Sequence, residues 1–260
     1  GFSDGQLGTK VNAYEDEFPD LTDVDLVIVG CNETRGSWQL FRELSAPDKV
    51  RAQFYASYYW HKDVRIADIG NIKSGATLQD TCAALKTVVK EITESGKTVI
   101  VLGGSHDLTL SQYEAYVDQK RLIEAVCVDA LIDINLNSGN RNEQFLMEML
   151  TGEPNFIRHY NHIGFQSYFV HPQLLETMDK LRFDCYRVGV VKEDIEEMEK
   201  QIEEEGPRTP TDAQGNPVQP EVSEEQYPPE DNVTEAGASE SMTPELDAMV
   251  EKFSTGINRK

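Results

Sequence analysis

The stretch that most constrains this chain runs from Thr98 to Thr109 and reads TVIVLGGSHDLT. Its apolar run, Val99 to Leu102, shows no polar alternation, which is the pattern of a strand covered on both faces in a parallel sheet. Gly103 and Gly104 end the run and allow a tight turn free of side chains. A helical pattern begins just after Asp107. In an open α/β sheet, ligands are met in the crevice beyond the carboxyl ends of the strands, and His106 falls there. The same residues also fit an ordinary turn with a satisfied or exposed imidazole, and this stretch by itself leaves both readings open.

Strand and helix patterns alternate along the first 190 residues. Residues 1–22 read as an entry loop. Strands are predicted at 25–30, 64–70, 98–102, 123–134, 162–166 and 184–191. Helices are predicted at about 45–60, 78–95, 108–120, 143–151 and 172–181. Pro47 and Asp48 suit a first helical turn, and Val50, Phe54 and Tyr58 recur at helical spacing as a core face. Thr77 with Asp80 three residues on forms a capping box, and Gly96 stops that helix. Strands alternating with helices at this interval imply parallel crossovers, hence an α/β protein with a parallel sheet in a three-layer α/β/α sandwich.

The character changes after Gly206. Residues 201–260 hold 7 of the 11 prolines and 14 acidic against 4 basic residues. From Gly206 to Glu240 there is too little apolar surface to offset the ordering entropy. The expected organisation is an α/β domain over 1–197, an acidic helix end and disordered linker over 198–241, and a short amphipathic helix over 242–260. In that helix Leu246, Met249, Val250 and Phe253 form an apolar stripe, fit to dock on its own domain or in a partner's groove.

Composition narrows the partners. A formal charge of -22 argues against binding nucleic acid or an anionic membrane. No apolar run approaches the roughly 18 residues of a membrane span, no signal peptide is visible, and a start at Gly1 without Met suggests a processed or trimmed end. Cys31, Cys82, Cys127 and Cys185 are widely spread with no metal-type pair, so free thiols in a reducing cytoplasm are expected.

A second constellation follows the strand around Val126. Asp129 and Asp133, four apart at its end, are placed to turn into the crevice that holds His106. One imidazole and two carboxylates suit a divalent ion such as Mn²⁺, and a hydroxide held between two such ions attacks an sp² carbon. The alternative is that the aspartates cap or hydrogen-bond their loop, or that His106 bonds one of them directly. His159, His162 and His171 match no metal spacing and read as surface or core residues. The polar loop 135–142, NLNSGNRN, has groups fit for a ligand, although such loops are also common turns.

These residues resemble the ureohydrolases, the family of arginase, agmatinase and formimidoylglutamase. Gly103-Gly104-Ser105-His106 is similar to their GGDH motif, and Asp129-Ala130-Leu131-Ile132-Asp133 to their DAHxD. Ala46-Pro47-Asp48-Lys49-Val50-Arg51 resembles GPxxIR, Ala67-Asp68-Ile69-Gly70 resembles a DxGD strand end, and GFSDGQLG at the start is a softer match. The resemblance covers roughly residues 1–195. It implies the arginase-like sandwich, a two-manganese centre, hydrolysis of guanidino or formimino compounds, and a homo-oligomer. It also implies that His106, Asp129 and Asp133 are metal ligands and that Asn135, Asn137, Ser138 and Asn140 bind substrate.

The departures matter as much. Leu131 stands where the family has a ligating histidine, Ser105 stands where it usually has an aspartate, and its third motif, SxDxDxxDP, has no counterpart in these 260 residues. The leading expectation is therefore a ureohydrolase fold that has lost its paired manganese centre and serves as a scaffold or ligand-binding subunit, with no catalytic residues of its own. One alternative is a working manganese-dependent hydrolase of a guanidino or formimino compound whose later ligands lie in a truncated or rearranged part. The other is an interaction protein that acts through its acidic tail and terminal helix.

Overall fold

The computed structural model describes residues 1–37, 46–135 and 139–193. The expected linker over 198–241 and the terminal helix over 242–260 lie outside the described residues. The described residues fall into two units, 1–123 with 133–157, and 124–132 with 158–193.

The first unit contains strands β1 (Asn12–Ala13), β2 (Leu26–Cys31), β3 (Ile66–Ile72) and β4 (Thr98–Leu102), ordered β1-β3-β2-β4 and paired in parallel. Val27 aligns with Ala67 on one side and with Val99 on the other. The central β2, LVIVGC, is buried along almost its whole length, as an apolar run in a parallel sheet requires. β1 forms within the expected entry loop, where two residues suffice to pair with β3. β4 departs from expectation. Its pairing is with β2, so it borders the sheet among the described residues; Val99 and Val101 pack on the core while Ile100 is exposed.

Helix α1 (Ala46–Ala56) precedes β3, and α2 (Leu78–Glu94) precedes β4. The capping box at α2 is present: the Thr77 hydroxyl accepts from the Asp80 backbone N–H, and the Asp80 carboxylate accepts from the Thr77 N–H. Its stripe of Cys82, Leu85, Val89 and Ile92 is buried, and a 17-residue helix with such a stripe is stabilised mainly by that packing. Cys31, Cys82, Leu85 and Val89 share a core with Leu108 and Ala115 of α3 (Leu108–Asp118). Helix α4 (Phe145–Thr151) buries Phe145, Leu146, Met149 and Leu150. The expected core face of α1 is overturned. Pro47 is its buried residue, Val50 and Tyr58 are exposed, and the helix ends four residues before Trp60. Periodicity marks a face but does not say that another element covers it.

What ties α1 to the sheet is polar. Arg51 donates through Nε and Nη2 to both oxygens of buried Asp68 at 2.6 and 2.9 Å, and the Tyr55 hydroxyl donates to the same carboxylate at 2.6 Å. Burial and that neighbouring carboxylate push the Tyr55 phenol well above its usual range.

The second sheet has the order β5-β6-β7, with β5 (Ile123–Val128), β6 (Ile157–Phe165) and β7 (Asp184–Arg187); β6 and β7 run parallel. β5 stops at Val128 rather than Ile134, and β7 gives way at Val188 to α6 (Val188–Glu193), where a strand to Val191 was expected. The β-branched run VGVV favours a strand only weakly, and its surroundings decide otherwise. Helix α5 (Pro172–Lys180) starts with Pro172 in its first turn, and the His171 ring accepts from the Gln173 N–H at 3.3 Å. Tyr160 and Phe183 pack edge to face in this unit. The three later histidines have structural partners: His159 pairs with Asp184 at 2.9 Å, while buried His162 bonds the Tyr160 hydroxyl and the Asp129 carbonyl. Because a carbonyl only accepts, His162 Nε2 carries the proton and Nδ1 accepts from Tyr160.

None of the four cysteines forms a disulfide. Burial pushes the Cys31 thiol up to about 11 and Cys185 up to about 12, so both stay protonated and inert at neutral pH. Among the described residues no helix is long and apolar enough to cross a membrane.

Candidate functional site

The turn after β4 is built against the turn after β2. The Ser105 N–H donates to the Glu33 carbonyl at 2.9 Å. A Cβ on Gly104 would lie 2.0 Å from that carbonyl oxygen, so only glycine fits there. Glu33 is itself locked: Arg35 donates from Nε to Oε1 at 2.9 Å and from Nη2 to Oε2 at 2.5 Å, and also reaches the carbonyls of Gly75, Ala76 and Thr77. Burial opposes ionisation of Glu33, but the hydrogen bonds from the Arg35 side chain and backbone outweigh it and hold the carboxyl at about 2. The His106 turn thus stands on a rigid base.

His106 Nδ1 lies 2.9 Å from Asp133 Oδ2; the imidazole is half exposed and the carboxylate is buried. The structure therefore joins two of the three expected metal ligands within the first unit. Asp129 belongs to the second unit, where its Oδ1 accepts from the Leu131 N–H at 3.2 Å and its backbone N–H donates to Ile163. Its connection to Asp133 is the short chain through Leu131, which limits the two Cα atoms to roughly 14 Å. Leu131 is exposed. Of the expected substrate-binding residues, Asn137 and Ser138 lie outside the described residues. Asn135 and Asn140 are both organised by Glu143, whose carboxylate accepts from their side-chain amides at 2.9 and 3.2 Å.

Three neighbours of this site were not singled out in the sequence. Asp107 is fully buried. Its Oδ1 accepts from the Ser105 hydroxyl at 2.5 Å, and its backbone N–H donates to Asn142 Oδ1 at 3.2 Å. Asn142 in turn donates its N–H to the Gly36 carbonyl. Arg141 Nε lies 3.4 Å from Asp107 Oδ2, yet neither buried atom has a hydrogen-bond partner. A Cβ on Gly36 would come within 2.1 Å of that same oxygen, so the β2 turn closes over the carboxylate. Adjacency to His106 was the signal for Asp107; Arg141 lies in the polar loop 135–142 already read as fit for a ligand, but its pairing with Asp107, 34 residues earlier, has no local signal.

An imidazole nitrogen and a carboxylate oxygen 2.9 Å apart match two adjacent ligands on one octahedral ion, which sit roughly 3 Å apart when each bond is about 2.1 Å. Within the first unit, His106 and Asp133 can supply two ligands of one such ion. Leu131, between the two aspartates in the chain, has no donor atom to offer an ion.

The model of the Arginase family matches residues 24–211, about seven-tenths of the chain. A formimidoylglutamase of Hahella chejuensis is 28% identical over 148 residues, covering 53% of this chain and 45% of that protein. Among solved structures, formimidoylglutamase from Bacillus subtilis superposes with a TM-score of 0.62 at 15% identity, covering 76% of this chain and 64% of that one. Trypanosoma cruzi formiminoglutamase with Mn²⁺ gives a TM-score of 0.62 at 15% identity, covering 77% and 71%. The chain thus spans somewhat less than half of the Hahella protein and about two thirds of the structural relatives. At these identities the structural likeness shows the fold, an arginase-like α/β sandwich. With the matched motif order and the family match over most of its length, the chain belongs to the arginase family.

Proposed function

We propose that this chain is a ureohydrolase-fold ligand-binding or scaffold subunit that has lost the paired manganese centre. The observation that carries this reading is Leu131: an aliphatic side chain stands between the two aspartates, where a second ion would need a donor. His106, Asp129 and Asp133 remain as a half-site for a single Mn²⁺, which when bound supplies a Lewis acid. The polar loop from Asn135 to Asn140, which the family resemblance assigns to substrate, is the place proposed for a guanidino or formimino ligand.

The test measures bound manganese together with urea, ammonia or formamide release from arginine, agmatine and N-formimino-L-glutamate. At most one ion per chain and no product is expected. Product released by the wild-type chain would overturn the reading.

A second reading is favoured by the likeness to formimidoylglutamases in sequence and fold. In it the whole protein hydrolyses the C–N bond of a formimino compound with manganese. Formamide release from N-formimino-L-glutamate, lost on chelation and restored by Mn²⁺, is its signature.

A further inference from the structure

We propose that two copies of this chain join edge to edge through β4, about a two-fold axis at Ile100. Among the described residues β4 borders its sheet, with β2 on one side only. The Thr98 N–H donates to the Asp25 carbonyl at 3.0 Å. In a parallel ladder every second residue turns both of its backbone groups to the same neighbour. Thr98, Ile100 and Leu102 therefore bond to β2, while Val99 and Val101 turn their N–H and C=O groups to the open side. No described residue bonds to those four groups. Soluble proteins guard such an edge with charge, proline, a bulge or a cover. β4 reads TVIVL without charge or proline, its register with β2 has no bulge, and Ile100 keeps 38% of its surface exposed.

The occupant follows from the pattern of the edge. In an antiparallel pair, residues that exchange two hydrogen bonds alternate with residues that exchange none. A second β4 laid with Ile100 opposite Ile100 sets Val99 against Val101 of the second copy, and Val101 against Val99. Both are exchanging pairs, so one symmetry operation satisfies all four open groups on each copy. The Ile100 side chains meet in the intervening pair, where Cα atoms lie about 4.5 Å apart and β-branched side chains pack closely. A slip of one residue sets open groups against groups already bonded to β2. A slip of two leaves one valine of each copy opposite no strand residue. The formal charge of -22 repels a second copy at long range, but the edge itself carries none. Association therefore tightens as salt screens that repulsion. The joined sheet needs no metal and no ligand, so it stands apart from the function proposed above.

Sedimentation equilibrium of the full chain from about 1 to about 100 μM, in low and in raised salt, tests this. A reversible monomer–dimer equilibrium is expected, tighter in raised salt. Ile100→Lys sets two ammonium groups face to face and is expected to weaken it at least about tenfold. Ile100→Cys and Thr98→Cys, oxidised beside the wild type, test the register and carry the proposal if Ile100→Lys does not fold. The thiols introduced by Ile100→Cys lie within disulfide reach of each other. Those of Thr98→Cys are offset along the strands by roughly 13 Å and do not. A cross-linked dimer above the wild-type level from Ile100→Cys alone is the expected result. A wild-type chain that stays monomeric throughout, a dimer that Ile100→Lys leaves unchanged, or cross-linking by both or neither of the thiol variants overturns the proposal.

Discussion

Two arginine–aspartate pairs in the first unit, Arg51–Asp68 and Arg141–Asp107, share a chemistry and differ in completion. All three guanidinium nitrogens of Arg51 are used: Nε and Nη2 on Asp68, Nη2 again on the Gly70 carbonyl, and Nη1 on Asp48 and Asn71. Arg141 makes no hydrogen bond to its buried aspartate. The first pair fastens α1 to β3 and uses the two soft motif matches, Arg51 and Asp68, as partners of each other. The second involves the residue after His106 and leaves Arg141 Nε and Asp107 Oδ2 without hydrogen bonds. A saturated ion pair is a structural rivet, whereas an unsaturated one holds by charge alone.

The largest effect that separates them is stability. Arg51→Ala strands the Asp68 charge and is expected to cost roughly 3–5 kcal/mol in chemical denaturation. Next comes the Glu33–Arg35 clasp, where Glu33→Gln is expected to cost roughly 1–3 kcal/mol at neutral pH. Its pH dependence has a defined sign. The Glu33 carboxyl is lowered from 4.5 to about 2, so its contribution is complete above about pH 4.5, declines as the pH falls below that, and is gone once the pH passes below about 2. Acid unfolding of Glu33→Gln should be correspondingly flatter over that window, and an unchanged profile would contradict the clasp. Smaller again, Arg141→Lys should shift stability by less than about 1 kcal/mol, because no hydrogen bond to Asp107 is lost. A loss as large as that of Arg51→Ala would erase the distinction. Outside that ranking, His106→Ala removes a half-exposed ring but also the hydrogen-bond partner of buried Asp133, so a cost of about 1–3 kcal/mol is expected while Mn²⁺ binding falls.

The parts of this fold that could be read in the sequence were those fixed by local chemistry. The apolar run before Gly103 gave β4, and Thr77 with Asp80 gave the start of α2. The nearness of His106 and Asp133 was readable as well, because each follows an apolar run, β4 and β5, although those runs belong to separate sheets. Features set by distant partners were not readable. Val50 and Tyr58 keep a helical period yet lie exposed, since period cannot name a covering element. Ile100 is exposed because β4 borders its sheet among the described residues, and neighbour order is invisible in a strand's own residues. Arg35 looked like part of a plain turn, although its partners include carbonyls 40 residues away. Asp107 and Arg141 are joined only by the fold.

The consequence of Leu131 is best read by counting manganese per chain by elemental analysis, in the wild type and in Leu131→His, after saturation with Mn²⁺ and removal of excess. At most one ion in the wild type and a higher count in Leu131→His is the expected result. Two ions on the wild-type chain would mean that paired manganese is held without a donor at residue 131, contrary to the reading given above.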